Sequence, residues 1–427
     1  MVDCHCHLTD ELLGNTADVL RSSAIAGVGA VVAVSENLPQ ARQLLHTSIL
    51  QLKSFDGDKS TVETCDKYDF IAERVQEGSP DSTDPLSWSI IIPCAGIHPV
   101  QPGWMHPKLE QLDELSSFLD VNHELIGGIG ECGLDFCPRT LKAPLNSPSP
   151  SVPYTSHAST SAAVGADGRA SAVISIANGA THETVHTPTD SLELRVKALQ
   201  ARIFDAHITL GSSMDLALNV HSRQAGHYAI DALARDPRES LSPALATGRT
   251  VATLGKLSAS DSDQSFLASR GSSTPSPRRG VPPRVLMHAF DGKAKFARKG
   301  VELGMRFSVA ASIGRDRCLQ KMAKSIPLDY LCLETDSPAL HPISGDRINY
   351  PANTALACSK LAELLDESVD QIAAATTKSA AELFPSLPRL IRRRESKVRT
   401  RFGAIGRGGR RSSGDLGILE AIADESC

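Results

Sequence analysis

The sequence predicts a single (β/α)8 barrel that carries long insertions. Three observations predict it. Short apolar runs alternate eight times with segments of helical periodicity, as in parallel strands joined by crossover helices. Polar and ionisable residues break those runs at their C-terminal ends, which meet at one mouth in such a barrel. With three low-complexity stretches and the C-terminal segment set aside, about 255 of the 427 residues remain, close to the ~250 typical of the fold.

The first strand opens the chain as Met1-Val2-Asp3-Cys4-His5-Cys6-His7-Leu8. Successive side chains on a strand alternate faces, so His5 and His7 share one face and Cys4 and Cys6 the other. Two imidazoles so placed can reach one metal ion, whereas the sulfurs point away. Asn15 or Thr16 caps a helix running to about Ala26. Ala30 to Ser35 is the second strand and Leu38 to Lys53 the second helix. The third strand, Ile90 to Ile97, runs into Gly96-Ile97-His98-Pro99. Leu109, Leu112, Leu115 and Leu119 then mark a helix.

Leu125 to Gly130 is the fourth strand and ends in Glu131-Cys132-Gly133-Leu134-Asp135-Phe136. A helix follows with Leu192, Val196, Leu199, Ile203, Ala206 and Leu210 in step. The fifth strand, Leu216 to Val220, ends in His221-Ser222-Arg223, with a helix from Gly226 to Arg235 behind it. Arg284 to Met287 is the sixth strand and leads to His288. Met305 to Ala310 is the seventh. Tyr330 to Leu333 is the eighth and leads to Glu334-Thr335-Asp336, before two closing helices within 352–384.

The barrel therefore occupies residues 1–385, interrupted by aperiodic insertions at 54–86, 138–188 and 237–282. Residues 386–427 read as a disordered tail, first basic and then acidic. Arg389 to Arg411 holds ten Lys/Arg against one acid, Glu395. Such a run suits nucleic-acid contact, a nuclear address or plain solvation.

A net charge of −5 over the whole chain declares no polyanion partner, so nucleic-acid affinity has to come from a local site. Ten cysteines form no CxxC pair and no dense framework. There is no long apolar run and no leader pattern, and a functional strand at residue 2 leaves no room for one. These features predict a reduced intracellular protein, cytoplasmic or nuclear, without a membrane partner.

His5, His7, His98, Glu131, His221, His288 and Asp336 all fall at strand ends and so converge on the mouth. Buried ionisable groups are costly without partners, so this convergence points to a shared ligand. Four of the histidines with the two carboxylates are enough for two divalent ions. Imidazole with carboxylate suits zinc or manganese better than magnesium. A carboxylate bridges two ions naturally, and Glu131, central among the donors, is the candidate. Two such ions can activate water and clamp the attacking and leaving oxygens of a phosphodiester.

The segments DCHCHL, GIHPVQP, GIGECGLDF, NVHSR, LMHAFDG and LETDSPAL resemble, in order and spacing, the motifs of the TatD family of metal-dependent deoxyribonucleases. They look most like its eukaryotic third subfamily. The resemblance implies a DNA substrate, with 3′-exonuclease or abasic-site cleavage as the expected modes. It implies that His5, His7, Glu131 and Asp336 bind one ion, and that Glu131, His221 and His288 bind the second. Glu131 and Asp336 then carry the catalysis. His98 matches a histidine expected to contact substrate phosphate. Arg223 and Asp135 occupy positions expected to touch substrate or support the ligands, although Asp135 could equally cap the following turn.

One stretch departs from the family's Arg-Asn-Glu-Pro segment. It reads Arg347-Ile348-Asn349-Tyr350-Pro351, without the glutamate, which affects substrate fit at that edge. Two other readings compete. An amidohydrolase acting on a cyclic amide or ester commonly bridges its metals with a lysine from the fourth strand, where this chain has Glu131. A non-catalytic nucleic-acid adaptor would not need the full ligand set.

Overall fold

The computed structural model describes residues 1–55, 88–101, 106–145, 192–235, 284–345 and 347–402. The three insertions, the last part of the tail and Asp346 lie wholly or largely outside these residues. Eight short strands appear in the expected order: β1 (Val2–Cys6), β2 (Ala30–Ala33), β3 (Ile90–Pro93), β4 (Gly128–Gly133), β5 (Ala217–His221), β6 (Val285–Met287), β7 (Arg306–Ala310) and β8 (Leu331–Glu334). All pair in parallel, β1 to β3 in one run and β4 to β8 in another.

Backbone hydrogen bonds at two seams join these runs into a ring. At the first, the Pro93 carbonyl accepts from Gly127 N–H at 2.8 Å and the Gly128 carbonyl from Ala95 N–H at 3.1 Å. At the second, the Ser337 carbonyl accepts from His7 N–H at 2.8 Å and the His5 carbonyl from Asp336 N–H at 2.9 Å. The strands read as near-continuous apolar runs because helices cover a parallel sheet from outside. Ala30–Ala33 and Ile90–Pro93 are buried throughout.

The helices among the described residues are α1 (Thr16–Ile25), α2 (Leu38–Phe55), α3 (Glu110–Asn122), α4 (Pro138–Lys142), α5 (Leu192–Met214), α6 (Gly226–Leu233), α7 (Ala294–Glu302), α8 (Arg317–Ala323), α9 (Thr354–Leu365), α10 (Val369–Leu383) and α11 (Ser386–Phe402). Asn15 caps α1, its Oδ1 accepting from Ala17 and Asp18 N–H. Ser368 and Gln371 form a capping box on α10. None of the described helices is long and apolar enough to cross a membrane.

Three expectations need correction. The segment from 386 begins as helix α11, not as a loose tail. Leu387 and Ile391 are buried with Leu383 and Phe384 among Val2, Ala30, Ile90, Ala217 and Leu286, near the starts of the strands. The Leu387/Ile391 spacing of four puts both on one helical face, a signal hidden by the surrounding arginines. Residues 138–145, assigned to the second insertion, include α4, where Thr140 and Leu141 are buried. Strand β4 is displaced toward the C-terminus of its expected range, so that Glu131 lies inside it.

Candidate metal centre

Local backbone geometry brings Glu131 to the middle of the barrel mouth. The register of β4 against β5 shifts between Ile129 and Cys132, an irregularity of the kind that re-aims a side chain. Glu131 N–H then bonds to the Ser35 carbonyl across the mouth at 2.7 Å. Two glycines allow the close approach. A Cβ on Gly96 would stand 2.7 Å from the Glu131 carbonyl oxygen. Gly133, at φ 138°, would put one 2.0 Å from the His221 carbonyl.

Four donor atoms form a small cage on one side of Glu131. His5 Nε2 and His7 Nε2 are 3.3 Å apart. Each faces Glu131 Oε2 and Asp336 Oδ1, at 3.5 Å from His5 and 3.3 Å from His7. Ligands ~2.0–2.1 Å from a tetrahedral ion lie about 3.3–3.4 Å from one another. The five distances that join the two imidazoles to each other and to the two carboxylates, 3.3–3.5 Å, are close to those edges, and His5, His7 and Glu131 stand together as a set that fits a divalent cation.

Glu131 turns its other oxygen to a second set. Oε1 lies 2.8 Å from His221 Nδ1 and 2.8 Å from His288 Nε2, and those two nitrogens are 3.3 Å apart. His98 Nε2 is 3.4 Å from the same oxygen. Val100 holds the His98 ring through its Nδ1, which leaves Nε2 as the atom presented to the site. One carboxylate thus faces two donor groups, the arrangement a bridging ligand requires.

The charges are mutually compensated. Burial alone would raise the Glu131 pKa, but the imidazoles of His98, His288, His5 and His221 hold it well below the ordinary carboxylate range. Burial pulls His7 down, yet Asp336, Glu131 and Glu36 outweigh it and raise it to about 9. Burial opposes ionisation of Asp336 too, and His7, His5 and His288 overcome it. A cation entering here would displace the proton that the carboxylates keep on His7.

The donors open onto a cavity of about 390 Å³, whose walls include His7, His98, Glu131, His221, Arg223 and Asp336. The Arg223 side chain is exposed on its rim. Asp135 does not line the cavity: it is 1% exposed and sits behind His221, its Oδ2 3.3 Å from Nε2. Its expected substrate contact is therefore replaced by a contact to a candidate ligand. Asn349, in the departing segment, is fully buried and donates from Nδ2 to the Thr335 carbonyl at 2.8 Å. It braces the turn that carries Asp336.

Four buried residues escaped the sequence reading. Asn219 stands 2.8 Å behind His5, and Glu334 lies 3.7 Å from His288. Asp3 ties β1 to Thr335 through both its backbone N–H and its hydroxyl. Each lies two positions before a donor on the same strand or just past its end, so period-two alternation already put them on the inward face. Glu36, after β2, lines the cavity at 7% exposure. Gln40 holds it, its Oε1 accepting from Glu36 N–H at 2.8 Å. No periodic signal marks Glu36.

The comparisons with known proteins agree with this geometry. A family model described as TatD related DNase matches residues 2–146 and 188–385. The human protein named deoxyribonuclease TATDN3 is 26% identical over 400 residues, covering 92% of this chain and 97% of that protein. A Bacillus subtilis protein named metal-dependent hydrolase YabD is 33% identical over 103 residues, 23% of this chain and 40% of that protein. The crystal structure of the Escherichia coli TatD homologue YjjV matches with a TM-score of 0.53 at 18% identity, over 90% of this chain and 98% of its own. That last likeness bears on the fold alone. Every donor in the mouth falls inside the two matched blocks, and the segment between them lies outside the described residues. The chain belongs to the TatD-related DNase family.

Proposed function

We propose that the protein is a metal-dependent nuclease that hydrolyses phosphodiester bonds in DNA, at 3′ ends, at abasic sites or at both. The observation that carries this reading is the division of Glu131, with Oε2 in the four-donor cage and Oε1 against His221 and His288. Two divalent ions would supply Lewis acidity toward the phosphoryl oxygens and a more acidic water. The imidazole content of the donor set favours zinc or manganese over magnesium.

The chain's own residues do the rest. His5, His7, Glu131 and Asp336 hold one position, and Glu131, His221 and His288 the other. From the cavity wall, His98 Nε2 and the Arg223 guanidinium donate to the phosphate and orient it. Asp336 turns Oδ1 to the cage, and its Oδ2 accepts the proton that the attacking water loses. No lysine lines the cavity among the described residues, which favours phosphoesters over the lysine-bridged amidohydrolase reading.

The test is cleavage of labelled single-stranded, duplex and abasic DNA by EDTA-stripped protein, before and after adding back Zn²⁺, Mn²⁺ or Mg²⁺. Stripping should abolish cleavage and one of the ions should restore it. Glu131→Ala should restore with none of them and should hold at least one ion fewer. Full activity in the stripped protein would overturn the reading. So would a loaded protein that hydrolyses a cyclic amide or ester and no DNA.

A further inference from the structure

The imidazoles of the two donor groups are backed by different chemistry. His221 Nε2 faces the Asp135 carboxylate at 3.3 Å. That carboxylate is fixed in turn, its Oδ1 accepting from Cys137 N–H at 3.0 Å. His288 Nδ1 faces Glu334 Oε2 at 3.7 Å. Both of those atoms are buried without a hydrogen-bond partner, while Glu334 Oε1 is held by Ala289 N–H at 3.0 Å. A small rotation of either ring or carboxylate pairs them.

His5 is backed by a neutral amide. Asn219 Nδ2 donates to the Cys4 carbonyl at 2.9 Å, which leaves Oδ1 to face His5 Nδ1 at 2.8 Å. His5 must then carry its proton on Nδ1 and present the Nε2 lone pair to the cage. An amide orients the ring. A carboxylate orients it and also makes it more basic, lending negative charge to whatever the imidazole binds.

The groups also differ in size. The first has four donors, His5, His7, Glu131 and Asp336. The second has Glu131, His221 and His288, with His98 Nε2 3.4 Å from the same Glu131 oxygen. With His98 given to phosphate, as in the proposed function, three donors remain and positions stay open for water or substrate, as in catalytic metal sites.

We propose that the two metal positions are unequal, and that Asp135 and Glu334 act as positioning residues that set the affinity of the three-donor position. The four-donor cage fills first and depends on neither carboxylate. The three-donor position fills second and depends on both, because their charge makes up for the missing fourth ligand. This rests on the reading that ions bind in the mouth, but not on the nature of the substrate.

The test needs no substrate. Full-length metal-free protein is titrated with zinc against a chromophoric chelator, and the two stepwise dissociation constants are read. The wild type should bind in two resolved steps. His221→Ala should remove the weaker step and thereby identify it. Asp135→Asn and Glu334→Gln should each weaken that step by roughly 10–100-fold, the range for loss of a group behind a metal-binding histidine, and leave the tighter step unchanged. A general loss of structure would move both steps. If one variant fails to fold, the other carries the test, because both feed the same step.

Two equal sites in the wild type would overturn the proposal. So would variants that weaken both steps alike, weaken only the tighter one, or weaken neither. A wild type that binds no zinc sinks the metal reading along with it. Two unequal steps with the expected sensitivities, in a protein that cuts no DNA, would sink only the nuclease reading.

Discussion

His207 Nε2 accepts the backbone N–H of Ile97 at 3.1 Å, so a residue of α5 fixes the loop that carries His98. Its Nδ1 donates to the Ile203 carbonyl at 2.7 Å. That pattern requires the neutral ring, and burial lowers its pKa from 6.5 to about 4 against the opposing pull of the Ile203 carbonyl. The folded state therefore binds fewer protons than the unfolded chain between those values. Its contribution is complete above pH 6.5 and is lost as pH falls toward 4, a change of about 3 kcal/mol. Urea unfolding of metal-free protein across that window should show a shallower pH slope for His207→Gln than for wild type. Equal slopes would mean that His207 does not stay neutral in the fold.

His98→Ala should separate phosphate contact from metal binding. Val100 presents the His98 Nε2 to the cavity beside Glu131. If that atom donates to phosphate, zinc stoichiometry stays at the wild-type value. Turnover falls by roughly 10²–10³, the usual cost of one lost transition-state donor. A drop in bound zinc would instead make His98 a ligand, in keeping with its proximity to Glu131 and His221.

The barrel and its donors were legible because both depend on short-range periodicity. Period-two alternation put His5 and His7 on one face, and strand ends bounded by loops marked Glu131, His221, His288 and Asp336. The same alternation would have identified Asp3, Asn219 and Glu334, had each strand been read two residues back from its donor. Other features lay beyond the reach of pattern. Asp135 turns to His221 because Phe136 N–H bonds to the Arg223 carbonyl and Leu134 N–H to the His221 carbonyl, a tertiary pairing that no local spacing encodes. The division of Glu131 between two donor sets follows from a register shift, which is likewise silent in the sequence.

The helix α11 changes what removal of the C-terminal segment should do. Truncation after Leu387 would remove the basic run that suits nucleic-acid contact, but it would also strip Ile391 from the end of the barrel remote from the cavity. Ile391 is 1% exposed against Leu383, Phe384 and the strand starts. Ile391→Ala should therefore cost about 2–5 kcal/mol, measured as a fall in the unfolding midpoint, with turnover per folded molecule unchanged. An unchanged midpoint would show that α11 is not part of the cooperative unit.

The three insertions should differ in effect according to where their anchors lie. The sequence-expected 54–86 and 237–282 fall almost wholly outside the described residues, but the flanking elements do not. One joins the end of α2 to Trp88, just before β3, and the other joins the residues after α6 to Arg284, just before β6. Helix-to-strand connections lie at the end of a (β/α)8 barrel remote from the active site. The third runs from the residues after α4 to Leu192 at the start of α5, and α4 itself follows β4, with Glu131 and Asp135 close behind it. Both of its anchors stand at the catalytic end. Closure entropy grows slowly with the length of a connection, each doubling adding only about 0.6 kcal/mol, so shortening these segments should leave the barrel folded. Replacing 56–87 or 236–283 with short glycine-serine linkers should keep the rate of DNA cleavage within a few-fold of wild type. Replacing 146–191 should change the relative rates on single-stranded, duplex and abasic DNA, because both of its anchors stand at the end of the barrel where the strands deliver the donors. A remote-end deletion that abolishes cleavage, together with a catalytic-end deletion silent on all three substrates, would mean that the substrate approaches from the other mouth of the barrel.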